Sequence, residues 1–395
     1  MKKFLLGLTV IGALFTSCGD DDTSTGPKQP VEGEINPAAV TADTTFAYGN
    51  YTLKGIVKIP AGVTVTFDAG STITANKTSG DNALVVLKGG KLIINGTASE
   101  PVVFTEASKI PGSWGGIIMY GEAPINAINA AATATSEDGN NQSYGGTNAA
   151  HNAGSLKYVR VEYAGAKLAD GTKENNAFTF YSVGTGTTLD HLVAYKGADD
   201  GFEWFGGTVS ATNLISYGNY DDAFDWQDGW QGQNNSNWYA YQEVKGNFGM
   251  EIEACGNNNA YFPKVANVTL KRAAGTVPEV AGAIEIDAFQ FKKEGNGSFD
   301  NVVIDGYGTY TEADKTYQGA AVKIQDAATN TDQVAASKIK VTNAKISNTA
   351  KEILGASDAI VVSFPAGTWS VSATASGASL DAGNWATGEG SSLIK

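Results

Sequence analysis

The sequence predicts an all-β solenoid, and three observations carry that prediction. The first is a phrase that occurs twice at an offset of 22 residues. Asp199-Asp200-Gly201-Phe202-Glu203-Trp204 returns as Asp221-Asp222-Ala223-Phe224-Asp225-Trp226. A fixed period of this size, built on short apolar runs and glycine turns, marks stacked coils. The second is a series of four- to six-residue alternating runs split by turns such as Pro60-Ala61-Gly62 and Gly89-Gly90. The third is composition: 48 glycines and only 17% charged residues in 395.

Residues 1–17, MKKFLLGLTVIGALFTS, read as a secretory signal. Lys2 and Lys3 give the basic start, and the apolar run that follows is too short to span a membrane. Leu14-Phe15-Thr16-Ser17-Cys18 resembles a bacterial lipobox, so Cys18 is the expected lipidation site after cleavage. Several acyl chains make a durable anchor where one does not. The Asp20-Asp21-Asp22 run behind Cys18 resembles the surface-export signal of Bacteroidetes lipoproteins. Residues 18–44 lack apolar periodicity and read as an acidic, flexible tether.

From residue 45 to 395 the chain reads as a single β-helix domain with a C-terminal cap. Gly112 to Ile118 opens a coil, and residues 127–153 read as a loop thrown out of the solenoid. In LKYVRVEYAGA, from Leu156, alternation places Val159, Val161 and Tyr163 inside and Arg160 and Glu162 outside. A small–apolar–polar triplet marks successive coils: Ala177-Phe178-Thr179, Gly201-Phe202-Glu203, Ala223-Phe224-Asp225 and Gly249-Met250-Glu251 (or Ile252-Glu253). It continues at Ala283-Ile284-Glu285 (or Ile286-Asp287) and Ala321-Val322-Lys323. Phe178, Phe202 and Phe224 should therefore stack inside, with Trp204 and Trp226 also in the core. KIKVTNAKISNT, AIVVSF and GTWSVSATAS supply the last coils and the cap, because an open solenoid end needs covering.

The phrases PAGVTVTF and LIINGT resemble the opening coils of right-handed parallel β-helices. Together, LKYVRVEYAG, DDGFEWFGGTV and DDAFD resemble a family of Bacteroidetes surface lipoproteins with pectin-lyase-like architecture and no settled activity. That resemblance covers roughly residues 45–260. It implies a right-handed parallel β-helix at the outer membrane surface. It does not extend to DWQDGWQGQNNSNWYAYQE, so no partner contact there carries over.

The formal net charge is -14, and Arg160 and Arg272 are the only arginines. That balance argues against nucleic acid. Two histidines and two cysteines leave neither a hydrolase triad nor a zinc site with motif support. Cys255 reads as a lone buried thiol. The chemistry-bearing feature is the repeated acidic phrase. At a coil spacing of about 4.8 Å, Asp199, Asp200 and Glu203 would lie over Asp221, Asp222 and Asp225. Stacked carboxylates repel, and a hard, oxygen-seeking cation such as Ca²⁺ is the natural neutraliser. Trp230, Trp238, Tyr239 and Tyr241 lie in an Asn/Gln-rich segment and are candidate sugar-stacking rings. The expected function is a non-catalytic, calcium-dependent glycan-binding surface lipoprotein, with an outer-membrane transporter complex as a candidate partner. The alternatives are a polysaccharide lyase or glycoside hydrolase, for which paired carboxylates are the relevant signal, and a structural or adhesive surface protein.

Overall fold

The computed structural model describes residues 28–79, 81–167, 174–258 and 260–395. The signal segment, Cys18 and the acidic run after it lie outside the described residues. The rest is a parallel β-helix. One sheet consists of ten short parallel strands, Ile56–Ile59 at one end and Lys351–Gly355 at the other. A second, larger sheet forms the other walls.

The larger sheet changes character along the solenoid. In the early coils two walls are separate strands, such as Lys91–Asn95 and Val102–Glu106. From Gly154–Glu162 onward a single long strand serves both. Its first half pairs with Leu92–Asn95 and its second half with Val102–Phe104. The bend between the halves falls at Tyr158, where φ is +52°. The same left-handed residue recurs in later coils as His191, Asn213, Asn237, Asn267, Asn301 and Asn343. Asparagine tolerates this conformation better than most residues. Its amide also bonds along the stack: Asn237 donates to Asn213 (3.0 Å), Asn267 to Asn237 (3.2 Å) and Asn301 to Asn267 (2.7 Å).

The 22-residue register is as predicted. Phe202 pairs with Phe224, Glu203 with Asp225 and Trp204 with Trp226. Phe178, Phe202 and Phe224 form an interior column with ring centroids 5.0 and 5.6 Å apart. Trp204 and Trp226 are buried. Gly249-Met250-Glu251 and Ala321-Val322-Lys323 hold their expected places, but the coil between them does not. Met250 pairs with Phe289, so the triplet there is Ala288-Phe289-Gln290, and residues 283–287 belong to the turn before it. The segment from Ile284 to Asp287 alternates like a strand, but its carboxylates lie in the turn while two phenylalanines are available for the interior.

One boundary is corrected. The span read as tether already contains solenoid: Val31–Ile35 pairs in parallel with Gly49–Leu53, and Asn36 caps a 3₁₀ turn at Pro37–Val40. Ile35 and Val40 are buried against the first coil, while the strand's other residues are exposed, as suits an edge. At the other end, Ile360, Val362, Phe364 and Trp369 pack over the core as a cap. Residues 372–395 then turn back along the outside. This strap meets Asn301 through Ser376 N (2.8 Å), Asn237 through Ser379 N (3.3 Å) and His191 through Asp381 (3.0 Å). Its Trp385 lies against His191 and Tyr158. Tyr163, read as interior, is buried under this strap instead, because the +59° φ at that residue breaks the strand's alternation.

The Phe column makes a direct test possible. Truncating a buried Phe to Ala costs about 3–5 kcal/mol. Phe202→Ala should lower the thermal midpoint well below wild type in a calorimetric scan, and an unchanged midpoint would contradict this packing.

Candidate functional site

On the outer face of the short-strand sheet, register alone brings acids together. One outward column runs Thr179, Glu203, Asp225, Glu251, Gln290 and Lys323. The turn just before those strands adds Asp199, Asp200, Asp221 and Asp222. Their carboxylates form three overlapping triads, each with its oxygens within 4.8 Å: Asp199–Asp200–Asp221, Asp200–Glu203–Asp225 and Asp222–Asp225–Glu251. All six acids singled out in the sequence are thus in one cluster. They do not fan into water: Asp199, Asp200, Glu203, Asp222 and Asp225 are each less than a tenth exposed.

Part of the cluster is structural. Asp200 Oδ1 accepts the Asp222 amide at 2.8 Å, and Asp222 Oδ1 accepts the Phe248 amide at 2.6 Å. Asn176 Oδ1 accepts the Asp200 amide in the same way (3.2 Å), so one oxygen per turn fastens each coil to the next. Such side-chain acceptors are the usual role of Asx residues in turns. Other oxygens have no such role. Asp199 Oδ2 and Asp225 Oδ1 are buried and accept no hydrogen bond.

The cluster lines a polar cleft of about 350 Å³. Sequence reasoning missed several of its walls. Glu251 was visible as a coil position but was not joined to the acidic phrase, although it directly follows Asp225 in the column. Glu253 and Lys292 also face the cleft. Lys292 pairs with Glu251, and with Glu253 at 3.4 Å, while Lys293 reaches Glu253 at 2.7 Å. The predicted outlying loop does not stand away from the solenoid. It folds back as a hairpin, Ala134–Thr135 against Ser143–Tyr144, and brings Glu137 to the cleft. Tyr144 anchors it by packing against Tyr181 and donating to Asp228 (2.5 Å). The other oxygen of Asp228 accepts from the half-buried Cys255 thiol at 3.0 Å.

Burial and mutual repulsion act together on the acids. Burial, then the neighbouring Asp221 and Asp222, pushes Asp200 well above the ordinary carboxylate range. Burial and Asp225 do the same to Glu203. At Asp225, burial and Glu251 outweigh the opposing charge of Lys292. Burial pulls Lys292 down, but Glu251, Asp225 and Glu253 more than offset it and hold the ammonium protonated. The lysine therefore neutralises one end of the cleft.

The aromatic expectation is corrected. Trp230 and Trp238 are core residues stacked on Trp204 at 5.1 and 5.0 Å. Their indole nitrogens donate to the carbonyls of Val209 and Ala211, both at 3.0 Å. Tyr239 is buried beneath the C-terminal strap. The Asn/Gln-rich composition suggested a surface loop, but Asn235–Gln242 is one of the long strands. Only Tyr241 remains half-exposed, on a different face, beside Lys271 and Arg272.

With the site's geometry described, comparison adds the family. The chain matches the pectate-lyase-like β-helix domain over residues 38–389, and it belongs to that family. No curated protein matches it.

The acidity of Asp221 gives a pH prediction. Burial and the charge of Glu279 raise it to about 7 against the hydrogen bond from Asn247. A carboxyl raised on folding stabilises the fold below its unfolded value of about 4 and loses that contribution as pH rises through the folded value. In chelator, the melting midpoint should fall between about pH 5 and about pH 8, and Asp221→Asn should reduce the fall. His191, also raised against its burial by Asp190 and Asp381, acts in the same direction. It is common to both proteins, so the difference between their slopes reports Asp221 together with the neighbouring carboxyls that its charge pushes up. Identical slopes would refute the assignment.

Proposed function

We propose that this protein is a non-catalytic, calcium-dependent glycan-binding lipoprotein of the outer membrane surface, with the acidic cleft as its binding site. The observation that carries the reading is the set of three carboxylate triads in which buried oxygens of Asp199 and Asp225 lack any donor. Desolvated carboxylates this close are costly unless protonated or neutralised. Lys292 neutralises the Glu251 end. Asp199, Asp200, Glu203 and Asp221 have no comparable ammonium within ion-pair distance among the described residues. Ca²⁺ accepts six to eight oxygens in flexible geometry, and some of Asp199, Asp200, Glu203, Asp221, Asp222 and Asp225 would hold it. The coordination positions left on the open side suit sugar hydroxyls. Specific binding then comes from the cation rather than from aromatic stacking. Lipidation at Cys18 would hold this face at the cell surface, where an outer-membrane transporter is the natural recipient of a captured glycan.

The cation is tested by thermal unfolding with calcium and with chelator. A ligand bound only by the folded state must raise its midpoint. Wild type should melt higher in calcium, and Asp200→Asn/Asp222→Asn should lose most of the gain. Asparagine keeps the oxygen that fastens each turn, so the variant should still fold. A midpoint indifferent to calcium would overturn the cation. A glycan array in calcium and in chelator then tests the ligand, which should bind in calcium alone.

A glycoside hydrolase is the second reading, favoured by closely paired carboxyls lining one cleft. Release of reducing ends from a polysaccharide, abolished by Asp221→Asn, would establish it over binding alone. The anchor is tested by Cys18→Ala, which should end palmitate incorporation. Label that persists in the variant would place the lipid elsewhere.

A further inference from the structure

The acidic cleft is not the only cavity of the described residues. A larger groove, of about 590 Å³, lies on the side of the solenoid, lined by Tyr241, Lys271, Arg272, Asp305 and Tyr310 among others. Arg272 closes the last long strand residue of its coil, Lys264–Arg272, and is only 7% exposed. Its Nη1 donates to Gln242 Oε1 (3.1 Å) and to the carbonyls of Gly246 (2.7 Å) and Asn247 (3.0 Å). Its Nη2 donates to the Thr276 carbonyl at 3.4 Å. All four acceptors are neutral.

No carboxylate lies within ion-pair distance of this guanidinium among the described residues. The buried acid Asp287 is paired with Lys323 at 3.0 Å instead. Asp305, the acid on the groove wall, accepts from Ser347 and Asn348, both at 2.8 Å. A guanidinium has five N–H donors in a fixed fork. The contacts above occupy the Nη1 side and one Nη2 hydrogen. Nε and the second Nη2 hydrogen have no acceptor among the described residues. A buried charge of this kind needs an anion or water to complete it.

We propose that this groove binds a carboxylate-bearing ligand, with the free Nε and Nη2 donors of Arg272 as the anion's anchor. Paired N–H donors of a guanidinium match a carboxylate in bidentate fashion. Lys271 adds a second positive charge on the wall, its ammonium donating to the Lys395 carbonyl oxygen, and Asp305 on the same wall is already bonded. Tyr241 stacks on Tyr217 at 5.2 Å and Tyr310 also lines the groove, giving half-buried rings for the ligand's carbon skeleton. The anchor is held rigidly, since Gln242, which accepts from Arg272, also donates to the carbonyls of Asn247 and Phe248. The site stands independently of the calcium reading, because none of these groups belongs to the acidic cluster.

The same chemistry could arrive as a free organic acid or as an acidic sugar, and the test separates them. The chain has only two arginines, and Arg160 Nε is already bonded to Glu162 at 2.6 Å. Two arginine Nε–H signals are therefore expected in a ¹⁵N spectrum, and Arg160→Lys assigns the one that remains to Arg272. Benzoate and glucuronate are titrated into wild type and Arg160→Lys in chelator, with benzamide and glucose as neutral counterparts. One acid at least should shift the Arg272 signal, with binding about ten-fold or more tighter than its neutral counterpart, a difference of about 1.4 kcal/mol. Which acid binds more tightly identifies the source. Lys271→Gln should weaken that acid without displacing the resonance in the free protein. A signal unmoved by both acids, or moved equally by the neutral compounds, would overturn the site.

Discussion

Everything in this molecule follows from parallel strands stacked in exact register. When each coil lies one strand spacing above the last, like residues are forced to meet like. Phenylalanines meet phenylalanines, and the result is a column of interior rings. Asparagines meet asparagines, and their amides, which both donate and accept, bond along the stack. Carboxylates meet carboxylates, and there the same rule is unfavourable. An ionised acid has no donor, so a ladder of acids cannot satisfy itself. The acidic cleft is the place where the stacking rule that stabilises the fold works against it.

How the chain accommodates that conflict is visible in the turn residues. Asp200 and Asp222 each turn one oxygen to a backbone amide of the next coil, which is a purely local, stabilising use. Their partners in the triads keep oxygens buried without donors. Local fastening explains why acids are tolerated at the turn, yet it leaves the strand acids Glu203 and Asp225 unexplained. A sequence selected for packing alone would not place an acid at two successive positions of one buried column, with a third, Glu251, directly after them.

Much of this was legible in the sequence because a repeat exposes its own register. The offset between Phe202 and Phe224 placed every acid of the two phrases correctly. Legibility failed where the period did. Between Met250 and Phe289 the turn lengthens, and alternation in Ile284 to Asp287 imitated a strand. It failed again where composition was a poor guide to burial: Trp230 and Trp238 lie among Asn and Gln, yet their indoles bond to backbone carbonyls inside the core. The contribution of Glu137 and Lys292 depends on how a hairpin and a later coil fold over the same face, which no local pattern encodes. The asparagine ladder, by contrast, was there to be read. Asn213, Asn237, Asn267, Asn301 and Asn343 each interrupt an otherwise strand-like run, and their common spacing from the apolar residues marks the bend.

The C-terminal strap has a consequence for how such a protein changes over generations. Solenoids ordinarily grow or shrink by whole coils, since each coil touches only its neighbours. Here one segment reaches from Asn301 back to Ala98 and Ser99, touching Asn237 and His191 between them. It spans a fixed number of coil heights, and its contacts fall on defined rungs. A duplicated or lost coil within that span would shift every rung past its partner by one spacing, and the strap would no longer fit. The tail therefore works as a ruler, confining insertions in this part of the chain to loops and holding the coil number constant.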